Sequence, residues 1–140
     1  MRERTMRLPL MLAGMLLAAT ATPVAAQDCG KATTQSALNA CAADGLREVD
    51  VALNDFYGRI MDRLRQNQPA RQALQESQRA WIRFRDAECA FATINSQDGS
   101  IAPMLVAQCR QRLTSLRVSQ LRDYLHCSEG DLSCPVPAEP

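Results

Sequence analysis

The sequence predicts an all-α fold: a disulfide-stapled, antiparallel three-helix bundle. Three observations carry that expectation. Apolar residues recur at helical spacing along three successive segments, and no stretch alternates convincingly enough for a strand. Pro69, Asp98-Gly99, Pro135 and Pro137 fall where helices should be interrupted. Six cysteines are an even complement for a small exported domain.

Residues 1–26 read as a secretory signal peptide. Arg2, Arg4 and Arg7 make a basic start, Leu8 to Ala21 is apolar, and Val24-Ala25-Ala26 offers small residues before Gln27. That apolar run is short for a membrane span, and no other stretch reaches the roughly 18 apolar residues a span requires. Cys29 follows Gln-Asp, so it does not resemble a lipid-modified cysteine. The expected location is periplasmic or secreted, with no membrane span in the mature chain. The mature chain divides into a helical domain, 27–126, and a disulfide-containing C-terminal tail, 127–140.

The first helix is expected from about Thr34 to Gln66, with Leu38, Ala42, Leu46, Val49, Leu53, Phe56, Ile60 and Leu64 on one arc. Gly45 is its weak point, costing about 1 kcal/mol relative to Ala, and marks where a kink or break is expected. The second helix runs from Pro69 to about Asn95, the third from about Ile101 to His126. Ser100 is placed to cap the third, and Pro103 is tolerated in its first turn, where N–H groups have no helical partner. Short connections then give an up-down-up bundle.

That topology constrains the cysteines. Cys89 and Cys109 flank the second connection at nearly equal height, each roughly 9–12 Å from the turn at 1.5 Å per residue. Their pairing is the natural one. Cys127 is then too far from Cys41 for the Cα separation of about 7 Å or less that a disulfide demands. This leaves Cys127–Cys134 as a tail loop and Cys29–Cys41 as a clasp, with a swap among Cys29, Cys41, Cys89 and Cys109 still open.

On the second helix, Trp81, Leu74, Ser77, Phe84, Phe91 and Ala92 share the expected core arc, whereas Arg79, Arg83 and Asp86 fall on the solvated side. Two charges, Arg85 and Glu88, lie inside that arc and need partners there. They are three residues apart, so they can pair within the helix. Asp50, Asn54 and Tyr57 on the first helix and Arg117 on the third complete an expected structural polar layer: Asp50, Asn54, Tyr57, Arg85, Glu88 and Arg117.

Charge and composition exclude several function classes. The 16 basic and 15 acidic residues become 13 and 14 once the leader is removed, a net charge of about −1. A nucleic-acid-binding surface would be clearly basic, so no nucleic-acid partner is expected. No cysteine pair has CxxC spacing, and the sole histidine, His126, adjoins Cys127. Neither a metal site nor a cofactor is expected. No nucleophile has a recognisable base, so the chain does not read as an enzyme.

A family pattern runs through these residues. Asp50-x-x-Leu53-Asn54-x-x-Tyr57, Gln78-Arg79-Ala80-Trp81-x-x-Phe84-Arg85-Asp86-x-x-Cys89, Gly99-Ser100-Ile101, Cys109 and Leu113-Thr114-x-x-Arg117 resemble the lysozyme inhibitor LprI N-terminal domain family. The resemblance covers about 29–125 and implies a small exported helical domain with disulfides. It also implies an association with lysozyme inhibition in some members, and neither catalytic residues nor a cofactor. Asp98 stands where a second glycine is common, Phe84 where tyrosine is common, and the tail cysteines lie outside the pattern.

The function expected on this basis is binding of a protein partner, a lysozyme-type glycosidase, whose cleft works through two carboxyl groups. The candidate contact is the hydrogen-bonding loop Ser96, Gln97, Asp98, Gly99 and Ser100, held at its base by Cys89–Cys109. The alternative is a structural or adaptor protein of the cell envelope with no lysozyme-directed activity.

Overall fold

The structure is a computed structural model, and it describes residues 28–128 and 130–137. The expected signal peptide, 1–26, lies outside the described residues. Three α-helices follow in order: α1, Gln35–Arg63; α2, Gln68–Ala92; and α3, Ala102–Leu125. Short 3-10 turns occupy Cys29–Lys31 and Ile94–Ser96, and the described residues contain no strand.

Local chemistry sets the helix starts. The Thr34 hydroxyl accepts from the Ala37 N–H at 3.2 Å, and the Asn67 side-chain oxygen accepts from Ala70 N–H at 3.2 Å. Both use a cap side chain to satisfy a donor that has no partner inside the helix. The start of α3 differs from expectation. Ile101 occupies the cap position without a side-chain bond, while the Ser100 carbonyl accepts from Asn39 Nδ2 at 3.0 Å. Ser100 therefore ties α3 to α1 instead of capping α3.

The helix α1 passes through Gly45 without a break. A Cβ there would stand 2.8 Å from the side-chain nitrogen of Gln111 on α3. The glycine marks where the Gln111 side chain of α3 lies against α1, not the expected kink. α1 and α3 are the most closely packed pair, and α2 leans against α3. At the far end, Arg63 donates to the Leu125 carbonyl at 2.9 Å.

The core contains Leu53, Ile60 and Leu64 from α1, Leu121 and Leu125 from α3, and Val136 from the tail. Trp81, Leu74 and Ala70 pack against it from α2. Val136 is only 2% exposed, so the tail folds back and contributes to the core.

The expected facing of α2 needs correction. Phe84 and Phe91 are 55% and 74% exposed, and Ser77 and Ala92 are exposed too. Gln78 and Cys89 are buried in their place. The inward face centres between Trp81 and Cys89, a rotation of roughly 70° at 100° per residue. Its cause lies in the partners: α2 is held by a disulfide and by polar side chains as much as by apolar contact.

Candidate functional site

The disulfides are Cys29–Cys41, Cys89–Cys109 and Cys127–Cys134, with Cα separations of 5.6, 5.7 and 5.8 Å. The first folds the N-terminal turn onto α1, and the second joins the end of α2 to the start of α3. Cys89 and Cys109 are both buried.

A polar cluster crosses the bundle beside Trp81. Arg85 is largely buried and donates to Asp50 on α1 at 3.0 Å, to Thr114 Oγ1 on α3 at 3.1 Å, and to Asp86 at 3.1 Å. Its guanidinium lies 5.3 Å from the centre of the Trp81 ring, and that of Arg117 lies 6.0 Å away. The ring thus carries two cations, a favourable arrangement for the negative face of an indole.

Arg117, 6% exposed, has no carboxylate among its hydrogen-bond partners. It donates to Gln78 Oε1 and Ser77 Oγ, each at 3.1 Å, and to Gln120 Oε1. Burial pushes the guanidinium below its ordinary pKa, with Tyr124 opposing. Arginine remains charged under such a shift.

Three members of the expected layer, Glu88, Asn54 and Tyr57, stand outside the cluster. Glu88 is exposed and makes no ion pair with Arg85. Asn54 is exposed and Tyr57 half-buried, and neither hydrogen-bonds to Arg85 or Arg117. The carboxylate that serves Arg85 from its own helix is Asp86, which the sequence placed on the wet face. Asp86 also lies 3.2 Å from Arg110 Nε on α3, an ion pair without good hydrogen-bond alignment. The rotation of α2 accounts for both differences, because it carries Asp86 inward and Glu88 outward. Ser77, Gln78 and Thr114 serve the two arginines without any signal in the sequence, because an uncharged polar side chain does not announce a charged partner on another helix.

The loop end forms a second region. Ser96 is half-buried, and Gln97, Asp98, Gly99 and Ser100 are exposed. The chain turns tightly there: Gly99 N–H donates to the Ser96 carbonyl and Ala102 N–H to the Gly99 carbonyl, both at 3.0 Å. Beside the loop runs a groove of about 750 Å³ with Leu46, Ala90, Val106 and Ala107 in its walls. Ile94, 51% exposed, lines the groove, and Ile101, 39% exposed, follows Ser100 in the chain. The loop is anchored by Cys89–Cys109 on one side and by the Asn39–Ser100 bond, two residues from Cys41, on the other.

Among the described residues, no group of three or more His, Cys, Asp or Glu side chains could hold a metal ion. No described helix is long and apolar enough to cross a membrane. What the fold and its two polar regions define is a disulfide-stapled helical domain with an exposed loop end anchored at both sides.

The chain belongs to the lysozyme inhibitor LprI family, whose pattern matches residues 25–121. It is also 34% identical over 130 residues to an uncharacterized protein of Rhizobium meliloti (strain 1021), covering 83% of this chain and 94% of that protein. No solved structure matches it.

Proposed function

We propose that this chain is an exported, non-enzymatic protein that binds and blocks a lysozyme-type glycosidase through its loop end. Family membership is the observation that carries this reading. The choice of surface rests on rigidity and chemistry. Ser96, Gln97 and Ser100 offer hydrogen-bonding groups, Ile94 and Ile101 offer exposed apolar anchors, and two covalent staples lie close by. Pre-ordering of this kind reduces the entropy lost on association.

The target's chemistry fits such an end. A glycosidase cleft works through two carboxyl groups, so hydroxyl and amide donors entering it meet acceptors. Asp98 would oppose those carboxylates and is assigned instead to a basic rim. The polar cluster around Trp81 serves to hold helix register, and contributes no contact atoms to the glycosidase.

The test is titration of c-type lysozyme and bacterial lytic enzymes with the oxidised protein, alongside a variant whose Asp98-Gly99-Ser100 segment is replaced. Inhibition that weakens at least tenfold on replacement is the expected outcome. Equal potency would discard the loop as the contact surface. Absence of inhibition, with capture of an envelope protein instead, would favour an adaptor role.

A further inference from the structure

A second cleft, of about 410 Å³, opens between α1 and α2 on the solvent side of the polar cluster. Its volume lies within the range of small-molecule sites. The donors and acceptors that face it are unevenly satisfied. Gln78 turns its Oε1 inward to accept from Arg117 Nε at 3.1 Å, which fixes the orientation of the amide. Gln78 lines the cleft, and its NH₂ group has no intramolecular acceptor among the described residues.

Asp50 is engaged through one carboxylate oxygen, Oδ1, by Arg85, and is 38% exposed. Its second oxygen is free to accept. Arg79 lines the same cleft, is exposed, and makes no ion pair among the described residues. With Asp50 balanced by Arg85, Arg79 leaves the cleft one positive charge in excess. Leu53 and Ile82 supply apolar wall between these groups.

We infer that this cleft binds a small N-acylated acid. The carboxylate meets Arg79, the acyl carbonyl accepts from Gln78 Nε2, the amide N–H donates to Asp50 Oδ2, and the acyl methyl lies against Leu53 and Ile82. An amide and a carboxylate in one small molecule match that set, whereas a neutral acylated molecule leaves Arg79 unanswered. This chemistry occurs both in acylated peptides and in acidic acylated sugars. The inference is independent of the lysozyme reading, since it uses neither the loop nor an enzyme partner.

The experiment is ¹H–¹⁵N NMR titration of the oxidised mature protein with four probes. They are N-acetyl-Ala-Glu and its C-terminal diamide, and N-acetylmuramic acid and N-acetylglucosamine. The expected result is saturable movement of the Gln78 side-chain amide signals with at least one acidic probe, at least tenfold stronger than with its neutral counterpart. Which acidic probe binds identifies the source. Arg79→Gln, at an exposed position without an intramolecular partner, should keep the spectrum of the folded protein and weaken binding at least tenfold. No saturable shift at millimolar probe, equal binding of neutral probes, or unchanged affinity in Arg79→Gln would each overturn the inference.

Discussion

Replacing both Cys89 and Cys109 by Ala tests how the loop end is held. The two residues are 20 apart in sequence, so the loop-closure relation assigns the link about 3.3 kcal/mol at 25 °C. Spread over a domain of about 110 residues, that loss corresponds to a fall in melting temperature of about 14 °C. Both cysteines are buried, so truncation to Ala adds a packing loss in the same direction. The same relation gives about 2.8 kcal/mol for Cys29–Cys41, separated by 12, and about 2.4 kcal/mol for Cys127–Cys134, separated by 7. Guanidinium chloride unfolding followed by circular dichroism should therefore rank the three double variants in that order. Inhibition measured below the transition should also weaken in the Cys89/Cys109 variant, because its loop is no longer pre-ordered. A loss under about 1 kcal/mol would refute the reasoning, since it would mean that α2 and α3 keep their register without the covalent link.

Other substitutions probe the interior. Arg85→Met should cost about 2–3 kcal/mol in chemical denaturation, the sum of three hydrogen bonds discounted for two half-exposed carboxylates, whereas Glu88→Ala should stay within about 0.5 kcal/mol. Equal effects would contradict the cluster as described. Gly45→Ala should stabilise by about 0.5 kcal/mol in the same assay, because helix propensity outweighs displacement of the flexible Gln111 end, while Gly45→Phe should destabilise. Val136→Ala should lower stability by about 1–3 kcal/mol, and a neutral result would remove the tail from the core. The Asp131 carboxyl accepts from the Ser133 hydroxyl and N–H, which lowers its pKa below 3.8. Its contribution to the tail loop is thus present above 3.8 and lost as pH falls through the lower folded value. NMR titration should show that ordering, and Ser133→Ala should move the Asp131 midpoint back toward 3.8.

The parts legible in the sequence were those set by local spacing. Helix periodicity located all three helices to within a few residues, and the hairpin height of Cys89 and Cys109 anticipated their pairing. The rotation of α2 was not legible. Its two phenylalanines pull an apolar-arc assignment toward their own side, yet both face solvent in the folded chain. What turns the helix is a set of contacts with no hydrophobic signature: a disulfide, a glutamine, a serine and two arginines. The same gap exchanged Asp86 for Glu88 as the partner of Arg85. For the loop, the sequence indicated polarity and anchoring residues, while the adjoining groove arises only from the angle between helices.

That rotation links the interior cluster to the exposed end. With Phe84 and Phe91 outside, α2 has limited apolar area with which to hold its angle, and directional bonds must supply the rest. Arg85 reaches from α2 to α1 and α3 together, and Arg117 reaches back from α3 to Ser77 and Gln78. A planar guanidinium accepts only a narrow range of partner positions, so two of them on opposite helices define one register. The loop 96–100 follows α2 after Thr93 and the short turn Ile94–Ser96, and its placement follows from that register. A substitution at Arg85 or Arg117 should consequently alter binding at the loop without touching the partner. Arg117→Lys separates the two roles: charge is kept, but one ammonium cannot serve Ser77, Gln78 and Gln120 in their present geometry. Amide shifts at Gln97 to Ser100 in that folded variant should move together with its inhibitory potency. Altered potency with an unmoved loop would place Arg117, or a surface close to it, in direct contact with the partner.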